Sequence, residues 1–95
     1  MSDPEKPKPS LLPTDALYAV MRVLEAGNQK DGRQPHDWED LGAPGIELMR
    51  DAAMRHLLED QAGRPRDPET GELHLAHAAA SALLALALAQ QRGVD

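Results

Sequence analysis

The 95-residue chain has no cysteine and no phenylalanine, one tryptophan and one tyrosine. Without cysteine there is no disulfide framework and no thiolate metal site. Aromatic and β-branched residues, the usual strand formers, are scarce, which argues against a sheet. Cations are also in short supply: 10 Lys and Arg stand against 16 Asp and Glu, a formal net charge of −6. A chain of this charge is repelled by a phosphate backbone unless it gathers its cations in one patch, and the sequence shows no such run, so nucleic acid is excluded as an expected partner. A nucleotide carried by a divalent cation stays open, because the ion reverses the local charge logic. The apolar stretch Ala82–Ala89 is far short of the ~20 residues that span a bilayer. The charged, proline-rich start has no apolar run behind it and does not read as a signal peptide. Together these features predict a cytoplasmic protein without a membrane partner.

Most of the apolar content is leucine, alanine, methionine and valine, which suits thin helix-on-helix packing. Residues 1–10 carry proline, lysine and acid with nothing to bury and are expected to form a disordered tail, leaving one helical domain over 11–92. A first helix is expected from Thr14 to Ala26, capped by Thr14 or Asp15 and stopped by Gly27-Asn28, with Leu17, Val20, Met21 and Leu24 as its apolar stripe. A long polar connection follows from Asn28 to Gly45. Trp38 within it is read as an anchor of the loop rather than a base-stacking residue. The second helix is expected from Ile46 to Gln61, with a stripe of Ile46, Met49, Ala53 and Leu57, and the third from Leu73 to Gln91, with a turn rich in Pro, Asp and Gly between them. The third is apolar almost all round, which three helices alone cannot cover. The fold class is therefore all-α, a small bundle of three main helices completed by homo-oligomerisation.

His74 and His77 are i, i+3 at the start of the third helix, so their rings share a side. If the second and third helices are antiparallel, His56 approaches that pair, and Asp67 and Glu69 lie in the turn at the same end. Imidazoles with a carboxylate suit zinc, manganese, iron or nickel, whereas magnesium prefers oxygen donors alone. The alternative is that these histidines only cap or bond the turn, with Asp67 accepting from an imidazole, and spacing alone favours it. Glu47, Asp51, Glu59 and Asp60 read as solvated helix face before they read as ligands, although Glu59 and Asp60 lie i+3 and i+4 from His56. His36, in the long connection, shows no partner pattern. No Walker-type phosphate loop and no nucleophile elbow is present.

The segments Arg55-His-Leu-Leu, Gly63, Asp67-Pro-Glu-Thr-Gly71 and His74-Leu-Ala-His-Ala78, preceded by Leu11-Leu12-Pro13, Gly27, Lys30 and Asp37-Trp38, resemble the dATP/dGTP diphosphohydrolase N-terminal family of phages and bacteria. The resemblance implies metal-dependent hydrolysis of a purine deoxynucleoside triphosphate to the monophosphate and diphosphate, in the host cytoplasm for a phage-encoded chain. It carries a divalent metal (manganese, zinc or magnesium) and the residues His56, Asp67, Glu69, His74 and His77. In this reading His56, Asp67, His74 and His77 hold the metal, Glu69 orients water or acts as base, and Lys30 or Arg55 meets phosphate. The chain departs from the family pattern at Arg64, where the pattern has Glu, at Ser81, where it has Asn, and at Ala26 and Asp37. Those departures keep two other readings in view: a non-catalytic nucleotide binder at an oligomer interface, and a structural helical oligomer.

Overall fold

The computed structural model describes residues 6–93, and three α-helices account for its architecture: α1 Thr14–Asp31, α2 Gly42–Gln61 and α3 His74–Gln91. Among the described residues there is no β-strand, only an isolated antiparallel bridge between Arg66 and Leu73. The fold is all-α as the composition predicts. No helix among the described residues is long and apolar enough to cross a membrane. Of the tail expected over 1–10, residues 1–5 lie outside the described residues. From Lys6 to Leu12 every residue is exposed, with a short 3-10 turn at Pro9–Leu11.

α1 runs past the Gly27-Asn28 stop read from the sequence and ends instead at Gly32, which takes the left-handed conformation at φ 65° and donates its N–H to Asn28. A glycine inside a helix costs only about 1 kcal/mol relative to alanine, and the added turn carries Lys30 to Glu69, 2.7 Å away. The amino-terminal cap is Pro13 rather than Thr14 or Asp15, without a side-chain bond. The buried residue of α1 is Val23, which packs with Ala76 and Ala80 of α3 beside Ala19, Val20 and Leu24. Met21, expected on this stripe, is 53% exposed.

α2 begins earlier than its apolar pattern suggests, at Gly42. Pro44 is tolerated there because the first-turn N–H groups have no intrahelical acceptor. The polar connection therefore shrinks to ten residues, Gly32–Leu41, and contains a 3-10 turn at Asp37–Asp40. α2 and α3 form the antiparallel pair that builds most of the interior. The start of α2 meets the end of α3 at Gly45, where a Cβ would collide with Leu41 and stand 3.0 Å from Leu88. At the other end His56 meets His74. Met49 and Ala53 are buried on α2, as the stripe predicts, while Leu57 stays half exposed. α3 carries no Asp, Glu, Lys or Arg from His74 to Gln91. One of its faces is open to solvent: Leu75, Leu83 and Leu86 are about half exposed and fall with Ala79 and Ala82 on a single side at helical spacing.

Candidate metal centre

The turn between α2 and α3 is a tightly bonded hairpin rather than a loose loop. Asp67 N–H donates to Glu72 O at 2.9 Å, Gly71 N–H to Asp67 O at 2.8 Å, and His74 N–H to Pro65 O at 2.8 Å. Oδ1 of Asp67 accepts from the backbone N–H groups of Glu69, at 2.7 Å, and Thr70, at 3.3 Å. The Arg66 guanidinium donates to Gly71 O at 2.8 Å. These bonds fix where Asp67 and Thr70 point before any ligand arrives.

Three potential donors converge there. One ligand atom each from His56 on α2, Asp67 in the hairpin and His77 on α3 lie within 4.8 Å of one another, all partly buried. The rings of His56 and His77 stack with centroids 4.5 Å apart, and Nε2 of His77 lies 3.9 Å from Asp67 Oδ2. Two imidazoles and a carboxylate on a preformed hairpin match the donor set of a zinc- or manganese-class ion. They match magnesium less well.

Two neighbours orient the imidazoles. Nδ1 of His74 lies 2.8 Å from Nδ1 of His56, so one ring donates and the other accepts. With the proton on His56 Nδ1, the Nε2 lone pair of that ring is free for a ligand bond, the arrangement in which an outer partner fixes the tautomer of a metal-binding histidine. His74 is 5% exposed and lies behind His56, outside the group of three that converges. The Thr70 hydroxyl lies 2.7 Å from His77 Nε2 and also accepts from Glu72 N–H at 3.2 Å, which ties the His77 ring to the hairpin. Sequence spacing singled out neither role: a hydroxyl seven residues from its histidine is brought close only by the hairpin.

The electrostatics follow the packing. Burial, then the neighbouring His77 and His74 rings, pushes His56 below the ordinary histidine value of 6.5. Burial alone would raise Asp67, but the Glu69 and Thr70 amides, with His77 and His56, outweigh it and hold the carboxyl below its usual 3.8. Asp67 is thus charged and His56 neutral near neutrality, the forms in which both donate to a cation.

The three donors open onto a cavity of about 880 Å³ lined by residues from all three helices and both loops. Lys30 and Arg33 line it on the α1 side, Glu69 and Thr70 on the hairpin side, Ser81 and Leu84 on α3, and His36 and Trp38 in the connection. Lys30 and Glu69 form an ion pair there at 2.7 Å, with both side chains more than half exposed. Arg22 and Glu72 form a second ion pair between α1 and the hairpin at 3.0 Å. Trp38 is half-buried. His36 is exposed, as the sequence suggests, but is not without a partner: Nδ1 lies 2.9 Å from Glu39 Oε1, and the backbone is left-handed at φ 71°.

Arg55 does not line this cavity. It lines a second one of about 360 Å³ together with His56, Glu59, Arg64, Arg66, Pro68 and His74. Glu59 pairs with Arg64, while Glu47 and Asp51 are exposed and, with Asp60, stand outside the converging group. The patch of cations that no sequence run betrays is made by folding, from α2 and the hairpin.

Fold and site together define an all-helical protein with a histidine–carboxylate centre at the wall of a nucleotide-sized cavity. The chain belongs to the dATP/dGTP diphosphohydrolase, N-terminal family, whose profile matches residues 1–95. A Salmonella phage PMBT28 protein named dATP/dGTP diphosphohydrolase is 39% identical over 83 residues. The match covers 87% of this chain and 27% of that protein, so the chain spans about a quarter of the relative's length. No solved structure matches the chain.

Proposed function

We propose that the large cavity binds a purine deoxynucleoside triphosphate through a divalent metal at His56, Asp67 and His77, and that water adds across its α–β phosphoanhydride to give the monophosphate and diphosphate. The observation that supports this reading is the convergence of those three donors within 4.8 Å at a cavity also lined by Lys30. A volume of about 880 Å³ lies in the range of small-molecule sites. A zinc- or manganese-class ion held there supplies Lewis acidity to a phosphoryl oxygen and acidifies a water molecule. His74 keeps the tautomer of His56, and Thr70 keeps the ring of His77 in place. Lys30 meets phosphate charge. Glu69, within reach of Lys30, takes the proton of the attacking water once phosphate competes for that ammonium.

The name of the phage relative supports the substrate class. Its greater length favours a second reading, in which this unit binds the nucleotide and the remaining length of such a protein performs chemistry. Incubation with dATP or dGTP and manganese, zinc or magnesium, with products separated by chromatography, tests both. The first reading expects monophosphate and diphosphate, lost on chelation and in His77→Ala. Turnover unchanged in that variant overturns it, and calorimetric binding without product selects the second.

Two further parts of the proposal concern the surroundings. A second copy of the chain covers the open face of α3, because a helix face of leucine and alanine without charge is self-complementary about a two-fold axis. The site of action is the cytoplasm, that of the host for a phage-encoded chain, with a small-molecule substrate and without a nucleic acid or membrane partner.

A further inference from the structure

His56 is the one residue that lines both cavities. In the second cavity, whose lining includes neither Asp67 nor His77, three arginines, Arg55, Arg64 and Arg66, border a space of about 360 Å³ with a single carboxylate, Glu59, among them. The surroundings of this cavity are thus positive by two charges in a chain whose formal net charge is −6. Two of the arginines are held in place: Arg64 Nε donates to Glu59, and Arg66 Nη1 donates to Gly71 O at 2.8 Å. A guanidinium has five N–H groups, so both retain donors beyond those bonds. The Arg55 side chain makes no hydrogen bond or ion pair among the described residues and adds a third guanidinium from α2. Glu59 offsets part of the repulsion among the three cations and so lets them gather without an anion present.

We propose that this second cavity is an anion site for a phosphoryl group, separate from the metal centre and divided from it by the His56 ring. Three planar forks with free N–H groups suit a tetrahedral oxyanion of two or more charges better than a halide or a single carboxylate. Inorganic phosphate, free diphosphate and the phosphate of a nucleoside monophosphate share that chemistry. The inference does not depend on the metal reading, since of the residues lining the cavity only His56 is among the three converging donors and the three arginines have no part in them.

Titration of the full chain by calorimetry and by NMR of the arginine Nε–H groups, with EDTA present and ionic strength held constant, tests it. The probes are inorganic phosphate, diphosphate and dAMP in separate arms, with acetate as the control. Saturable binding of at least one phosphoryl probe is expected, weakened about tenfold or more, one charged contact's worth, in Arg55→Gln and in Arg64→Glu, and unchanged in Lys30→Gln. Tighter binding of diphosphate than of the other two would mark the ligand as a free polyphosphate, and tighter binding of dAMP would mark it as a nucleotide. Arg55→Gln is exposed and breaks no bond, so a melting curve superposable on the wild type keeps the comparison clean. Binding no stronger than acetate overturns the site, as does binding that survives Arg55→Gln but is lost in Lys30→Gln, which would put the anion in the large cavity.

Discussion

The two carboxylate oxygens of Asp67 face different ways. Oδ1 accepts the Glu69 and Thr70 amides and shapes the hairpin, while Oδ2 faces His77. Asp67→Asn keeps an acceptor for the hairpin and removes the charge. It is expected to leave stability within ~1 kcal/mol of the wild type and to lower affinity for zinc or manganese at least tenfold. Asp67→Ala removes both and is expected to cost roughly 1–2 kcal/mol. Chemical denaturation and metal titration of the two variants separate the roles. Equal metal affinity in wild type and Asp67→Asn would count against the centre.

His56 gives a second prediction at this scale. Burial and its imidazole neighbours hold it below 6.5 when folded, so on acidification the unfolded chain takes up this proton first. Its contribution to stability is therefore present above pH 6.5 and declines as pH falls from there through the folded value. Asp67 adds a separate loss below 3.8, where the unfolded carboxyl protonates before the folded one. Denaturation midpoints taken in chelator between pH 7 and pH 5 should fall in the wild type more steeply than in His56→Asn. Parallel profiles would mean that another group sets the acid sensitivity.

Among the elements, the pairing of α2 with α3 was the most legible in the sequence and the end of α1 the least. Gly63 and Gly93 each follow the last turn of an apolar helix, so the expected and observed ends of α2 and α3 agree closely. Gly27 looks the same in isolation. The helix nevertheless runs on to Gly32, and its last turn places Lys30 beside a glutamate 39 residues away, a partner that no local pattern contains. The meeting of His56 with the α3 histidines was legible because a short hairpin between antiparallel helices leaves few alternatives. The divergence of Arg55 was not drawn from the sequence, although consecutive helical residues point about 100° apart; which of the two faces the large cavity depends on how α2 is rotated against α3. Gly45 sets that approach. Gly45→Ala is expected to destabilise by about 1–3 kcal/mol, the usual range for overpacking, because the new methyl group meets Leu41 and Leu88. Urea unfolding checks this, and a neutral result would show that the two helices can separate at that end without loss.

For the whole molecule, the open face of α3 decides the behaviour in solution. Leu83 and Leu86, with relative exposures of 47% and 54%, sit on a helix without a single formal charge outside its histidines. Light scattering across a concentration series is expected to show self-association in the wild type, and Leu83→Glu with Leu86→Glu is expected to abolish it while the helical signal persists. A wild type that stays a monomer at every concentration would leave the face for another kind of partner.

Every group that converges on the candidate ion lies between His56 and His77, within one hairpin and the two helix turns beside it. The first helix gives only lining to the large cavity and is tied down by a small apolar contact and two exposed ion pairs, each worth little in water. It follows that the convergence of the three donors does not depend on where the first helix stands.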